Sequence, residues 1–93
     1  MAAVFCQVEL FIPAAGSLKG KRQVLRSIIE RIRARCHAAV AETGHQDVWQ
    51  RAGLEVAMVA SSRAVLEKQV ALARRIADEA DGAEVVAFTA EYL

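Results

Sequence analysis

Residues 3–18, Ala3-Val4-Phe5-Cys6-Gln7-Val8-Glu9-Leu10-Phe11-Ile12-Pro13-Ala14-Ala15-Gly16-Ser17-Leu18, change their period once, and that change points to the fold. Up to Ile12 the residues alternate. Val4, Cys6, Val8, Leu10 and Ile12 form one fully apolar side, and Phe5, Gln7, Glu9 and Phe11 form the other. Period two predicts a strand. Pro13 cannot donate to a ladder and Gly16 permits a tight turn, so the strand stops there. Ser17 is an N-cap, and beyond it the period becomes helical.

The helix is predicted over residues 18–35, with Leu18, Val24, Leu25, Ile28, Ile29 and Ile32 as its apolar stripe. Residues 36–43 and 52–61 read as two strands joined by a turn around Gly44-His45-Gln46-Asp47, with Trp49 at the start of the second. A second helix follows from Ser61 or Ser62 to about residue 80, with Val65, Leu66, Ala73, Ile76, Ala77 and Ala80 as its buried stripe and Arg74–Asp78 and Arg75–Glu79 as exposed pairs. Residues 84–93 alternate again as a last strand, Val86, Phe88, Ala90 and Tyr92 against Val85, Ala87, Thr89 and Glu91. Two βα units joined by a hairpin make the ferredoxin-like βαββαβ arrangement, an α+β sandwich. Right-handed crossovers place both helices on one face of a four-stranded antiparallel sheet, leaving the other face to water or a partner.

The chain has 93 residues, one domain's worth, and residues 1–93 are read as a single ferredoxin-like domain. A hydrophobic fraction of 55% with 25% charge is apolar enough to fold and excludes a disordered character. The start has no basic region and Glu9 interrupts its apolar run, so no signal peptide is expected. Nothing is long and apolar enough to span a bilayer. Cys6 and Cys36 lack metal or redox spacing, so ordinary reduced thiols and a cytoplasmic location are expected.

A net charge of +1 hides an asymmetry. Residues 1–51 carry eight basic against four acidic side chains, a balance of +4, and the remainder carries four against seven, a balance of −3. On a helical wheel Lys19, Arg22, Arg26 and Arg33 fall on one flank of the first helix. Four cations in line can track phosphates without sequence preference. Lys21 and Arg51 are possible additions to the same RNA contact. The plainer alternative is a solvated helix face whose long stems cover the core's edge.

The run Ile12-Pro13-Ala14-Ala15-Gly16-Ser17-Leu18-Lys19 with Lys21-Arg22, and the run His45-Gln46-Asp47-Val48-Trp49-Gln50-Arg51-Ala52, together resemble the YlxP-like family of small bacterial proteins. The resemblance extends over essentially the whole chain. It implies a ferredoxin-like fold, genes set beside those of translation and ribosome assembly, and no established enzymatic activity, and it supplies no assigned site. Gly20 departs from the family pattern, in which Glu at that position would complete a capping box with Ser17.

Three constellations carry the expectations. The basic flank is the candidate RNA contact, with ribosomal RNA or a ribosomal precursor as partner. The sheet's open face carries Phe5, Phe11 and Val59, which suit a homodimer contact. Glu9, Glu55 and Glu91 on that face repel phosphate, so RNA is not expected there. In the hairpin group Glu42, His45, Asp47 and Trp49, the histidine and the two carboxylates could ligate a metal or shuttle a proton. The plainer alternative has His45 and Asp47 holding the turn while Trp49 packs over it, and it is preferred.

Enzymatic readings fare poorly. With no Asn anywhere and no Arg in the loop Pro13–Ser17, a likeness to acylphosphatases lacks its phosphate-binding and water-positioning residues. A copper chaperone needs paired cysteines after the first strand, and Cys6 stands alone within it. No phosphate-cradling glycine loop and no Ser–His–Asp set can be argued. The expectation is a non-enzymatic RNA- or ribosome-associated binding protein without cofactor or metal, with a homodimeric interaction module as the alternative.

Overall fold

A computed structural model describes residues 1–93. The elements follow the expected order: β1 (Ala2–Phe11), α1 (Leu18–Cys36), β2 (Ala39–Gly44), β3 (Arg51–Ala60), α2 (Arg63–Asp78) and β4 (Glu84–Tyr92). The sheet has the order β2-β3-β1-β4 and is antiparallel throughout. This is the ferredoxin-like sandwich.

The alternation of β1 becomes its two faces. Val4, Cys6, Val8 and Leu10 are buried beneath the helices, while Phe5, Gln7, Glu9 and Phe11 face the other way. β3 runs beside β1 with Val4 opposite Met58, Cys6 opposite Val56 and Val8 opposite Leu54, so the two central strands bury one continuous apolar surface. Leu25, Ile28 and Ile32 of α1 and Leu66, Ala73 and Ile76 of α2 cover it. Burying a large aliphatic side chain contributes about 1.5–3 kcal/mol, so this layer supplies most of the driving force.

Both helix starts are capped by serine. Ser17 Oγ accepts from Gly20 N–H at 3.0 Å, and Ser62 Oγ accepts from Val65 N–H at 3.3 Å. α1 runs to Cys36, which is buried in the stripe, and stops at His37 in the left-handed conformation, φ 52°. β2 therefore starts at Ala39 instead of residue 36. β3 begins at Arg51, which leaves Trp49 in the preceding loop and outside the strand. α2 ends at Asp78 with Glu79 as its cap, so Arg74–Asp78 forms (3.5 Å) and an Arg75–Glu79 pair does not. Val65, expected in the buried stripe of α2, is exposed.

Two bulges break the alternation. In β4 the register against β1 shifts between Glu9 and Leu10, where Glu9 faces Ala87 and Leu10 faces Val85. The extra residue is Val86, which turns outward at 52% exposure while Val85 joins Phe88 and Tyr92 on the core side. Simple alternation had grouped Val86 with Phe88. In β2 the shift lies between Glu42 and Gly44, with Glu42 opposite Leu54 and Gly44 opposite Gly53.

Candidate nucleic-acid interface and its hairpin anchor

Lys19, Arg22, Arg26 and Arg33 are all exposed, on the side of α1 away from its buried stripe. Four ion pairs exist in the molecule: Lys21–Glu42, His45–Glu9, Arg63–Glu67 and Arg74–Asp78. None involves this flank. Glu30 shares the outer surface of α1 without pairing to any cation. Arg33 is partly committed, because its Nη2 donates to the carbonyl of Val40 at 3.0 Å. That bond also orients the flank: it overlooks β2, the edge strand beneath α1. Arg33 and Arg35 in the last turn suit the negative end of the helix dipole.

Two residues grouped with the flank do not belong to it. Lys21 is buried at 1% exposure, the one charged side chain in the core. Its ammonium donates to the carbonyls of His45 (2.6 Å) and Val48 (2.8 Å). Glu42 Oε2 lies 3.0 Å away, off the axis of a directed hydrogen bond, so that contact is an ion pair. An ammonium has three N–H groups, and three acceptors surround this one. Lys21 therefore cannot reach RNA. Arg51 is exposed but stands opposite Phe11, and Ala52 beside it is buried; Arg51 points to the open face, across the sheet from α1.

Lys21 was legible in principle. At about 100° per residue it falls among Leu25, Ile28 and Ile32, inside the apolar sector. A lysine on that sector needs an acceptor set brought from elsewhere in the chain.

The hairpin group separates. Glu42 sits on the helix side of β2 with Lys21. The bulge and the left-handed His45 (φ 56°) turn the chain, and His45 Nε2–H donates to Glu9 Oε1 at 2.8 Å. Glu9 belongs to the open face, so Glu42 and His45 work on opposite sides of the sheet. No three His, Cys, Asp or Glu side chains converge as a metal-holding group. Asp47 makes no side-chain hydrogen bond, so it does not hold the turn as expected; Lys21 does so from beneath. Trp49 is 51% exposed and does not pack over the hairpin.

His45 reaches Glu9 over Gly53. A Cβ on Gly53 would lie 3.2 Å from both Cα and N of Gly44, so a side chain here would press the two backbones a few tenths of an ångström apart. The loop is tied at its far end too: Ile12 N–H donates to the Gln50 carbonyl at 2.9 Å, and Gln50 Nε2 to the Pro13 carbonyl at 2.8 Å.

On the open face Phe5 and Val59 are diagonal neighbours, since Phe5 stands opposite Ala57 and Ala3 opposite Val59. Phe11 is six residues along β1 from Phe5, about 20 Å away, and forms no patch with them. Glu9, Glu55 and Glu91 share this face: Glu9 stands opposite Gly53, Gln7 opposite Glu55, and Phe5 opposite Glu91. Around Phe5, the residues Ala39, Ala41 and Ala57 line a shallow apolar depression of about 240 Å³. Both thiols are buried, and burial pushes Cys6 and Cys36 upward from the ordinary value, with Arg35 drawing Cys36 back in part.

Comparison with known proteins gives three likenesses. A family model described as "Protein of unknown function (DUF503)" matches residues 4–90. The "Uncharacterized protein YlxP" of Bacillus subtilis (strain 168) is 42% identical over 66 residues, covering 71% of this chain and 72% of that protein. A de novo designed protein with ferredoxin fold, solved by NMR in solution, superposes with a TM-score of 0.55 at 15% identity. That match covers 100% of this chain and 84% of the designed one, and it speaks to the fold alone. No helix is long and apolar enough to cross a membrane.

Proposed function

This chain belongs to the family described as Protein of unknown function (DUF503), and on that premise we propose that it is a non-enzymatic, cytoplasmic RNA-binding protein. Its ligand is ribosomal RNA or a ribosomal precursor, and its contact surface is the outer flank of α1. The observation that carries this reading is the charge state of that flank. Lys19, Arg22 and Arg26 are exposed and free of carboxylate partners, while every ion pair of the molecule lies elsewhere. From Lys19 to Arg33 the flank runs about 21 Å along the helix. Cations held at that spacing neutralise phosphates and release counterions, which gives affinity without base preference. The ribosomal assignment draws on the resemblance of residues 12–22 and 45–52 to the YlxP-like family.

The test is co-sedimentation with ribosomal subunits across a salt series, comparing the wild type with K19E/R22E/R26E. Arg33 is left intact because its bond to Val40 supports β2. Binding that falls steeply with salt and disappears in the triple variant is expected. Binding that survives the three changes removes α1 from the mechanism.

A second reading rests on the depression around Phe5, where Ala39, Ala41 and Ala57 leave an apolar surface uncovered. A second copy of the chain laid on this face would bury Phe5 and Val59 and make a homodimer with two basic helices outward. Light scattering decides this, and a concentration-independent monomer ends it.

A further inference from the structure

Trp49 is the single tryptophan of the chain, and it is half exposed at 51% in a loop that is otherwise tied down. A large aromatic that found no place in the core usually costs solubility, yet this one is presented on an anchored backbone. On its N-terminal side the Val48 carbonyl accepts from the buried Lys21 ammonium at 2.8 Å, and Val48 N–H donates to the His45 carbonyl at 3.0 Å. On its C-terminal side the Gln50 carbonyl accepts from Ile12 N–H, and Gln50 Nε2 donates to the Pro13 carbonyl. The neighbours on both sides are held, and the indole between them is left to solvent. It borders a shallow groove lined by Ala15, Gly16, Asp47, Val48 and Gln50.

Ala15 and Gly16 lead directly into Ser17, the cap of α1. Lys21 in the second turn of α1 holds the loop, and the basic flank overlooks the β2 edge that this loop closes. The groove beside the indole therefore lies at the pole where α1 begins, the end of the helix that carries Lys19 and Arg22.

We infer that Trp49 is a stacking platform for an unpaired base of single-stranded RNA whose backbone runs along Lys19, Arg22 and Arg26. This inference rests on the proposed RNA reading of α1 and adds to it the base and the strandedness. An exposed indole on an anchored backbone, at the end of the helix where a line of cations starts, is a pairing that suits single strands, with the π-face taking any base and the cations taking phosphates. Duplex RNA hides its base faces in the stack and offers none to Trp49. Asp47 in the same groove repels phosphate, which keeps the backbone on the α1 side and admits the base. Its free carboxylate accepts from a base amino group. An acidic protein segment would match the cations but would leave the indole without a planar partner.

Because the chain has one tryptophan, its selectively excited emission reports on this site alone. The protein is titrated with a short oligoadenylate and with an abasic ribose-phosphate strand of equal length. Binding is followed in parallel by anisotropy of the labelled strands for the wild type, W49A and W49F. The expected result is quenching by oligoadenylate and little by the abasic strand. Affinity falls about ten-fold in W49A, within the range alanine substitution gives for one stacked base, and is largely kept in W49F. The salt slope stays unchanged in W49A, since no cation is lost. Strands that bind wild type and W49A equally, with unaltered emission, overturn the stacking role and leave the α1 reading intact. Equal quenching by the abasic strand also overturns it. No binding of either strand overturns the α1 reading and this inference together.

Discussion

The ammonium of Lys21 sits 2.6 Å from the carbonyl oxygen of His45, 24 positions further along the chain. Through this contact, and its partner at Val48, the second turn of α1 holds the loop between β2 and β3. The same loop carries Trp49 and the His45 that reaches across to Glu9. One buried cation thus organises the pole where helix, hairpin and candidate contact surface meet.

Replacing Lys21 by Met keeps the volume and removes the donor. Two carbonyls and Glu42 lose their partner, and Glu42 is only 24% exposed. Breaking such a buried pair from one side costs about 3 kcal/mol. Urea titration measures the loss, and amide exchange in residues 45–50 is expected to rise more than in β1. A loss near zero would show that the loop does not depend on the clamp. In K21M/E42Q the cost should be smaller than the two single losses combined, since the carboxylate is no longer stranded.

Gly53 is the second point of dependence. Its added Cβ would stand 3.2 Å from backbone atoms of Gly44, and backbone cannot swing aside as a flexible side chain does. G53A is expected to lose about 1–3 kcal/mol and to loosen β2 from β3. G44A meets only ordinary contact at 3.6 Å and should cost less. Thermal melts of the two variants decide it, and equal losses would mean the close approach carries no weight.

His37 and His45 hold φ of 52° and 56°, a region that costs an L-residue about 1 kcal/mol or more. H37G removes that strain at the end of α1, and after the greater entropy of unfolded glycine it should stabilise by about 0.5 kcal/mol. At position 45 the contact with Glu9 is half exposed on both sides, 40% and 37%, so its loss costs about 0.2–1 kcal/mol. H45A keeps the strain and loses the contact, whereas H45G relieves the strain. The glycine variant is therefore the more stable of the two, and a reversed order in denaturation would contradict the strain argument.

Burial holds Cys6 and Cys36 above the ordinary thiol value near 9.0. The unfolded chain ionises first as pH rises, while the folded thiols keep their protons. Their stabilising contribution is thus whole below pH 9.0 and is lost as pH climbs toward the folded values. The slope is up to about 1.4 kcal/mol per pH unit for each thiol. Denaturation of wild type and C6A/C36A between neutral and alkaline pH checks this, and parallel curves would contradict it. A thiol reagent should label neither cysteine at neutral pH until the chain unfolds.

Sequence periodicity carried most of the fold. The alternation of β1 and the stripe of α1 are local patterns set by burial on one side, and each became the face it described. The misses fall where one residue broke a period. Val86 was grouped with Phe88 because alternation has no term for a bulge, and the shift at Glu9 exists only against the neighbouring strand. The basic flank survived as an exposed surface, although Arg33 turned out to be tied to Val40. Lys21 was assigned to solvent on its charge, although its wheel position lay inside the apolar sector. The hairpin group was read as one cluster because its members are close in sequence, and the bulge beside Thr43 sent Glu42 and His45 to opposite faces.

By itself the sequence determined the order of the six elements, the inward side of β1, the apolar stripe of α1 and the ferredoxin-like sandwich they form. Those follow from repeating apolar positions, and every strand or helix carries its own copy of that information. Only the tertiary structure decided that Lys21 is a clamp, that Arg51 lies across the sheet from α1, and that Trp49 is left outside. Those facts depend on segments far apart in the chain meeting at one pole. A buried ammonium can be satisfied only by acceptors that folding brings to it, and no local pattern names them.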